Sequence, residues 1–355
     1  MSKLHLRNLN GIRALAALMV INSHLPVTYT FENNHLQGLY SLTKNGQLGV
    51  YIFFLLSGFL ITRIILEDKE KFKLKTFYLK RIYRIWPLYY LCFFINLCIF
   101  PFVNKDRVYD HYSFEKYFFF IQNFDTYEIA VKKLNFYAPI TINWSVSIEE
   151  QFYLFWPLIF FFIKNSTIRI IIIASMMVAA LLKTANIEST TGNSYFTTYA
   201  AIWDLGLGGL LAYLHWQLRN IKICIPKIIT LLIYIAALVF LTNLIPIDIS
   251  FTLRKILTSI IIAFFVAEQC TNHKNLFNLD RVPFFYHIGK ISYGLYLLHP
   301  LVFLLVDSIL ASLFGYGTIR NILILLIGIP AIFLIANVSY KYFESYFLKL
   351  KAKLD

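Results

Sequence analysis

Apolar residues occur in long, nearly uninterrupted runs along this chain, and short polar segments separate the runs. A helix that crosses a hydrocarbon core of about 30 Å needs roughly 17–25 residues. The runs predict an all-α fold, a polytopic membrane helix bundle with about ten transmembrane helices. The predicted spans are 9–29, 48–66, 85–103, 148–164, 168–184, 199–217, 227–245, 253–270, 288–313 and 321–343.

The composition agrees with a membrane protein. Hydrophobic residues make up 58% of the 355 residues and charged residues 15%, and the mean hydropathy is +0.63. These values lie well outside those of a typical soluble domain. No internal repeat and no linker rich in glycine or proline interrupts the chain. We therefore expect a single integral-membrane domain over residues 1–355, with no fused soluble domain.

Basic residues outnumber acidic ones, with 33 Lys and Arg against 19 Asp and Glu and a formal net charge of +14. If the N-terminus faces the cytoplasm, 23 of the 33 cations fall on the cytoplasmic side of the predicted spans and 10 on the other side. This bias predicts an N-in, C-in orientation. The charge therefore indicates contact with membrane lipids and implies no nucleic-acid partner.

The eight histidines and four cysteines give no sign of a metal site. They lack the close ligand pairs of zinc sites, such as HExxH or paired CxxC motifs. The cysteines lie in or beside apolar spans and lack the even spacing of a disulfide framework. We expect no metal ion, and we interpret the cysteines as packing residues.

Ionisable side chains are costly inside a membrane, which makes the first predicted span a candidate for chemistry. Arg13 and His24 are eleven residues apart, so they lie within about 20° of the same helix face, with a rise of roughly 16 Å between them. The histidine suits a general base or nucleophile because an imidazole exchanges a proton near neutral pH. Each residue alone also has a simpler explanation. The Arg13 side chain can extend to the membrane interface, and His24 can bond a backbone carbonyl.

Three cations precede and begin the third span. Lys80, Arg81 and Arg84 share one helical side because they are three and four residues apart. Such a cluster suits a polyphosphate, since guanidinium groups bind phosphate oxygens in a bidentate manner. Contact with anionic lipid headgroups is the alternative.

Two adjacent acids, Glu149 and Glu150, lie where the fourth span begins. Either they end the span at the interface, or they meet His24 at the same level of the membrane. In the ninth span, His299 precedes Pro300, which cannot donate a helix hydrogen bond. The imidazole therefore either lines an internal path or satisfies the freed carbonyl.

Six motifs along the chain resemble those of the acyltransferase 3 family of integral-membrane acyltransferases. They are GIRALAALMVINSHL (11–25), GVYIFFLLSGFLIT (49–62), RIYRIWPLYY (81–90), NWSVSIEEQFYLFWPL (143–158), WDLGLGGLLA (203–212) and ISYGLYLLHPLVF (291–303). The resemblance covers essentially the full chain. Two positions depart from the family pattern: Tyr51 replaces a common aspartate, and Ala201 replaces an arginine that often precedes Trp203-Asp204. We therefore expect Asp204 to lack its usual partner.

The resemblance implies O-acyl transfer, with acetyl-CoA or another acyl-CoA as donor substrate and no permanently bound cofactor. The implied acceptor is a hydroxyl of a carbohydrate or glycolipid, such as a cell-surface polysaccharide or lipopolysaccharide, and the implied location is the bacterial cytoplasmic (inner) membrane. The residues expected to bind the donor are Arg13, Lys80, Arg81, Arg84 and His299. The residues expected to act in catalysis are His24, Glu149 and Glu150.

In the expected mechanism, a carboxylate accepts a hydrogen bond from one nitrogen of His24 while the other takes the acceptor's proton. Glu149 is the preferred carboxylate. An acyl-histidine intermediate remains open. The alternative from another class is a transporter or flippase of lipid-linked sugars, in which the same charges line a translocation path.

Overall fold

A computed structural model describes residues 6, 8–27, 44–67, 72–103, 114–133, 139–218, 225–242, 245, 247–271 and 275–354. All regular elements within these residues are helices. The first eight are α1 (Leu9–Ser23), α2 (Gly46–Glu67), α3 (Leu74–Val103), α4 (Phe114–Phe118), α5 (Asn123–Val131), α6 (Trp144–Phe162), α7 (Ser166–Thr191) and α8 (Thr198–Gln217). The remaining six are α9 (Lys227–Leu241), α10 (Phe251–Thr271), α11 (Pro283–Phe314), α12 (Thr318–Leu323), α13 (Ile329–Val338) and α14 (Ser345–Ala352).

Short irregular helices connect several of these elements. One 3₁₀ turn, Pro139–Asn143, leads into α6, and another, Leu279–Arg281, precedes α11. Two π turns, Ile324–Gly328 and Ser339–Glu344, join α12, α13 and α14 into one continuous helical segment.

Five helical segments of the described residues are long and apolar enough to cross a membrane: Gly46–Glu67, Leu74–Ile99, Ser166–Thr191, Pro283–Phe314 and Thr318–Ala352. Each of the ten predicted spans overlaps a helix, which confirms the all-helical membrane architecture. The number of ten crossings and the N-in, C-in orientation stay predictions.

The predicted limits of four spans are wrong by six residues or more. The fifth and tenth were predicted to end at 184 and 343, but their helical segments continue to Thr191 and Ala352. The first helix ends at Ser23 rather than at 29, because Pro26 disfavours the helical conformation at the residue before it. The third begins at Leu74 rather than at 85, so the cationic segment that was expected to lead into the membrane is itself helical. Lys80, Arg81 and Arg84 therefore lie on the helix α3.

Glycines allow the helices that surround the site to approach closely. A Cβ atom at Gly58 of α2 would clash with the backbone of Leu205, and one at Gly208 of α8 would clash with the backbone of Leu55. Backbone contact through small residues is typical of helix pairs in membranes. Gly58 and Gly208 therefore allow α2 and α8 to form a tight pair.

Asp204 lacks the usual arginine, as expected, but it has a different partner. Lys255 of α10 places its Nζ atom 3.0 Å from Asp204, and the Ser259 hydroxyl donates to the same carboxylate at 2.5 Å. The ring of Tyr51 lies 4.2 Å from the Lys255 ammonium. A cation from a different helix thus replaces the missing arginine, and the buried pair joins α2, α8 and α10.

Candidate active site

A partly open cavity lies between α1, α2, α3, α6 and α11. Polar side chains from these helices line it. The ionisable or hydroxyl-bearing residues around it are Arg13, Ser57, Arg81, Arg84, Ser145, Glu149, Tyr153, Ser292, Tyr293 and Tyr296.

Three arginines gather at one end of this cavity. Arg13 comes from α1, and its Nε atom donates to the Ser292 hydroxyl of α11 at 3.2 Å. Arg81 and Arg84 come from α3, one helical turn apart. The guanidinium carbon of Arg81 lies 5.5 Å from the ring centroid of Tyr153, which positions it by a cation–π contact. Sequence spacing predicted the α3 pair, and the fold adds Arg13 to it.

Lys80 does not line this cavity. It lies one residue before Arg81, rotated by about 100° on the helix, and it is partly exposed. The predicted grouping of the three α3 cations therefore separates in the structure: Arg81 and Arg84 face the cavity and Lys80 does not.

Glu149 belongs to the arginine end of the cavity. Its two carboxylate oxygens accept hydrogen bonds from the Ser57 hydroxyl and the Tyr153 hydroxyl, each at 2.9 Å. The two hydroxyl oxygens lie 3.0 Å apart. A closed triangle of three side chains from α2 and α6 therefore fixes the carboxylate in the cavity wall.

Glu150 points elsewhere. The indole Nε1 of Trp86 on α3 donates to Glu150 Oε2 at 2.9 Å, while Oε1 is buried and finds no hydrogen-bond partner among the described residues. Adjacent helix positions differ by about 100°, so the two acids cannot share one face. Glu150 is not part of the cavity lining.

His24 caps the end of α1, and its ring is held by its own helix. The Nδ1 atom lies 2.8 Å from the carbonyl oxygen of Val20 and 3.1 Å from the Ser23 hydroxyl. Because a carbonyl only accepts, Nδ1 carries the proton and Nε2 presents a lone pair. The predicted hydrogen bond from His24 to a carboxylate is wrong for the described part of the chain. Glu149 lies deeper in the bundle, and the Val20 carbonyl fixes the tautomer instead.

His299 lies next to His24. The ring centroids are 5.2 Å apart, with an angle of 57° between the ring planes. His299 is completely buried, and its Nδ1 atom bonds the Leu295 carbonyl one turn back at 3.0 Å. By the same argument Nε2 carries no proton, and this nitrogen is buried without a hydrogen-bond partner among the described residues. The structure therefore brings two imidazoles together. This contact could not be predicted from the sequence, because the two histidines lie far apart in it.

Ser145 and Tyr296 connect the imidazole pair to the cavity. Tyr296 lines the cavity on one side, and its ring centroid lies 6.1 Å from that of His299. Its hydroxyl is 2.6 Å from the Ser145 hydroxyl at the start of α6. The arginines, the Glu149 triangle, the Tyr296–Ser145 pair and the two imidazoles thus follow one another along the bundle.

Several of these residues escaped the sequence argument. Ser57, Tyr153 and Tyr296 were not among the candidate site residues. A signal did exist on α6: Ser145 and Tyr153 lie four residues before and after Glu149, so all three share one helix face. For metal ligands, the described residues contain no group of three or more His, Cys, Asp and Glu that could hold an ion.

These features define a polytopic membrane protein with a polar cavity between its helices, arginines at one end of this cavity and paired imidazoles beyond the other. Residues 6–341 match the acyltransferase 3 family, described as an acyltransferase domain, and the chain belongs to this family. The resemblance based on six motifs is thereby confirmed.

Two curated relatives carry informative names. The chain is 27% identical over 380 residues to the peptidoglycan O-acetyltransferase OatA of Listeria monocytogenes, covering 97% of this chain and 56% of the relative. It is 27% identical over 371 residues to the O-acetyltransferase OatA of Staphylococcus aureus, covering 96% of this chain and 57% of the relative. The chain thus spans little more than half the length of these relatives. No solved structure matches it.

Proposed function

We propose that this protein is an O-acyltransferase of the bacterial cytoplasmic membrane. It moves an acyl group, acetyl in our proposal, from acyl-CoA to a hydroxyl of a carbohydrate or glycolipid acceptor such as a cell-surface polysaccharide. The observation that carries the proposal is the cavity itself. Three arginines line one end of it, and the wall at the other end lies beside His24 and His299. Relatives named O-acetyltransferases support the same activity.

The donor's phosphates bind Arg81 and Arg84, with Arg13 behind them. Guanidinium groups suit this task because they remain charged and offer paired N–H donors to phosphate oxygens. Glu149 partly balances the three cations from the cavity wall, while Ser57 and Tyr153 keep it from closing on an arginine as an ion pair. The cations thus stay available to an anionic ligand.

The donor's pantetheine arm bridges the two ends. Arg13 and His24 are separated by eleven residues of α1 and its cap, a rise of roughly 16 Å. A donor held by its phosphates at the arginines therefore presents its thioester near Tyr296, on the side that faces the imidazoles. The acceptor reaches His24 from the exposed end of α1. The two substrates meet inside one protein, which replaces a bimolecular encounter by an oriented one.

His24 acts as the general base. Its unprotonated Nε2 takes the proton of the acceptor hydroxyl as the oxygen attacks the thioester carbonyl carbon. The tetrahedral intermediate collapses with loss of the CoA thiolate, and the imidazolium returns the proton to the sulfur. The Val20 carbonyl stabilises the imidazolium through the Nδ1–H bond, the task that the sequence argument gave to a carboxylate.

The test is a pair of histidine variants in purified protein in nanodiscs, with radiolabelled acetyl-CoA as donor and chitopentaose as acceptor. We expect His24→Ala to lower kcat by about 10²–10⁴-fold, the usual contribution of a general base. Acetyl-CoA binding, measured by calorimetry, should change by less than about twofold, because the phosphates bind at the arginine end. His287→Ala is the matched control, since His287 lies on α11 and bonds Asn337 instead of lining the cavity.

The proposal fails if His24→Ala transfers acetyl groups at the wild-type rate. It also fails if the wild-type protein transfers no acetyl group to any carbohydrate but moves a lipid-linked sugar across a vesicle membrane. That second result would favour a flippase.

A further inference from the structure

An aromatic layer borders the donor cavity on the side of the imidazole pair. Tyr296 belongs to this layer: its ring lines the cavity, and its centroid lies 6.1 Å from that of His299. Phe53 of α2 packs edge-on against Tyr296 at 5.9 Å and also lines the cavity. Among the described cavity residues, Tyr296 is the one in ring contact with His299.

The position of Tyr296 is fixed by two hydrogen bonds. Its hydroxyl donates to the Ile142 carbonyl at 3.1 Å, which leaves the phenol oxygen to accept from the Ser145 hydroxyl at 2.6 Å. Ile142 lies in the turn before α6, and Ser145 lies in the first turn of α6. Tyr296 is only 4% exposed, so these two bonds hold its ring in the cavity wall.

This layer lies at the end of the cavity remote from the arginines. Ser292, which binds Arg13, is four residues before Tyr296 on α11, so the tyrosine is one turn, about 6 Å, further along the helix. In the proposed function the phosphates occupy the arginine end. The acyl group, at the opposite end of the donor, then points at Tyr296 and Phe53.

The layer is closely packed at this end of the cavity, because Tyr296 is only 4% exposed and Phe53 lies edge-on against it. Close packing lets a well-fixed wall resist even one extra methylene group. An acyl chain longer than acetyl must therefore displace the Tyr296 ring and break its bonds to Ile142 and Ser145.

We propose that Tyr296, held by Ser145 and backed by Phe53, is the residue that limits the acyl group to a short chain. This inference rests on the proposed function and adds to it the selectivity for the acyl donor. Tyr296 contacts the acyl group in this arrangement, whereas Ser145 acts by positioning Tyr296.

The experiment compares acetyl-CoA with butyryl-CoA as donors for chitopentaose in nanodisc-embedded full-length protein. We measure the ratio of the kcat/KM values for the two donors. Tyr296→Leu should lower this ratio by about tenfold or more, because one methylene in an apolar pocket already changes selectivity by about 10–200-fold. Phe53→Leu enlarges the same end from α2 and should lower the ratio in the same direction.

Tyr286→Leu is the matched control. Tyr286 lies on the same helix but is exposed, and its ring contacts Lys290 instead of lining the cavity. Its loss should leave the acetyl-to-butyryl ratio unchanged. If Tyr296→Leu does not fold, Phe53→Leu decides.

Two outcomes contradict the inference and remain distinguishable. An unchanged ratio in both Tyr296→Leu and Phe53→Leu, with acetyl transfer still measurable, overturns the inference and leaves the proposed function standing. A wild-type protein that transfers neither acetyl nor butyryl groups removes the proposed function, and the inference with it.

Discussion

His24 at the end of α1 and the neighbouring His299 of α11 hold their ring protons through the same type of hydrogen bond. In both His24 and His299, Nδ1 bonds the carbonyl of the residue four positions earlier. Each ring therefore presents an unprotonated Nε2, and in His299 this atom is buried without a partner in the described residues. Once His24 takes up a proton, we expect the lone pair of His299, whose ring centroid lies 5.2 Å away, to stabilise the new N–H group.

Two substitutions of His299 separate its two nitrogens. The amide of Gln extends to the position of Nε2, whereas the amide of Asn reaches only that of Nδ1. We expect His299→Asn to lower kcat by about 10–100-fold, the value of a lost hydrogen bond to a charged group, and His299→Gln to retain more activity. The measurement is kcat and KM for acetyl-CoA. A smaller loss in His299→Asn than in His299→Gln would contradict this role and show that His299 acts through its bond to Leu295.

At the scale of the element, the end of α1 is held by a cation from the segment before α2. The Lys44 ammonium donates to the carbonyls of Asn22, Leu25 and Val27, at 2.9, 3.4 and 3.0 Å. These carbonyls have few other donors because the helix ends here. The three bonded carbonyls lie before and after His24 in the sequence. The bonds therefore fix the backbone around His24 and, with it, the orientation of its ring.

Removal of this cation should misplace His24 without touching the donor site. We expect Lys44→Met to lower kcat about 10–100-fold, since small displacements of a reacting group have effects of this size. Acetyl-CoA binding should stay within about twofold, because the arginines lie roughly 16 Å away. Lys44→Arg should retain more activity than Lys44→Met. Lys132→Met, which removes an exposed lysine paired with Glu128, is the control.

A loss of donor binding in Lys44→Met equal to the loss of kcat would contradict this role, because it would indicate general unfolding. Thermal unfolding of the two variants and of the control, followed in the same nanodiscs, separates the two explanations.

The sequence was sufficient to place the helices but not to place their ends. Long apolar runs have no other stable form in a membrane, so every predicted span overlaps a helix. The end of α1 depends on Pro26 and on the contact with Lys44. The start of α3 lies in an amphipathic segment, which has no apolar run that would predict it. Hydropathy alone contains neither piece of information.

The candidate site was predictable where residues share a helix. Helical spacing brings Arg81 and Arg84 together on one face, and it separates Glu149 from Glu150. Contacts between helices were not predictable, since nothing in the spacing of His24 indicates that His299 lies beside it. The partner of Asp204, a lysine on α10, was missed for the same reason.

At the scale of the molecule, the helix bundle places the arginines and the imidazole pair at opposite ends of the site. Close backbone contact through Gly58 and Gly208 joins α2 to α8, and the buried Asp204–Lys255 pair joins α8 to α10. This frame holds α2 against α1 and α6, and the remaining space is the cavity. The cations occupy one end of that space and Tyr296 the other, so a donor with a charged head and a neutral acyl end has one favourable direction of entry.

The most direct test is a cryo-electron microscopy structure of the protein in nanodiscs with S-ethyl-CoA, a thioether analogue of acetyl-CoA. The account predicts donor phosphates within about 4 Å of the Arg81 and Arg84 guanidinium groups, with the sulfur beside Tyr296 on the side of His24, and no phosphate on Lys80. An analogue whose phosphates lie away from both arginines, or whose sulfur lies outside the cavity, would contradict it.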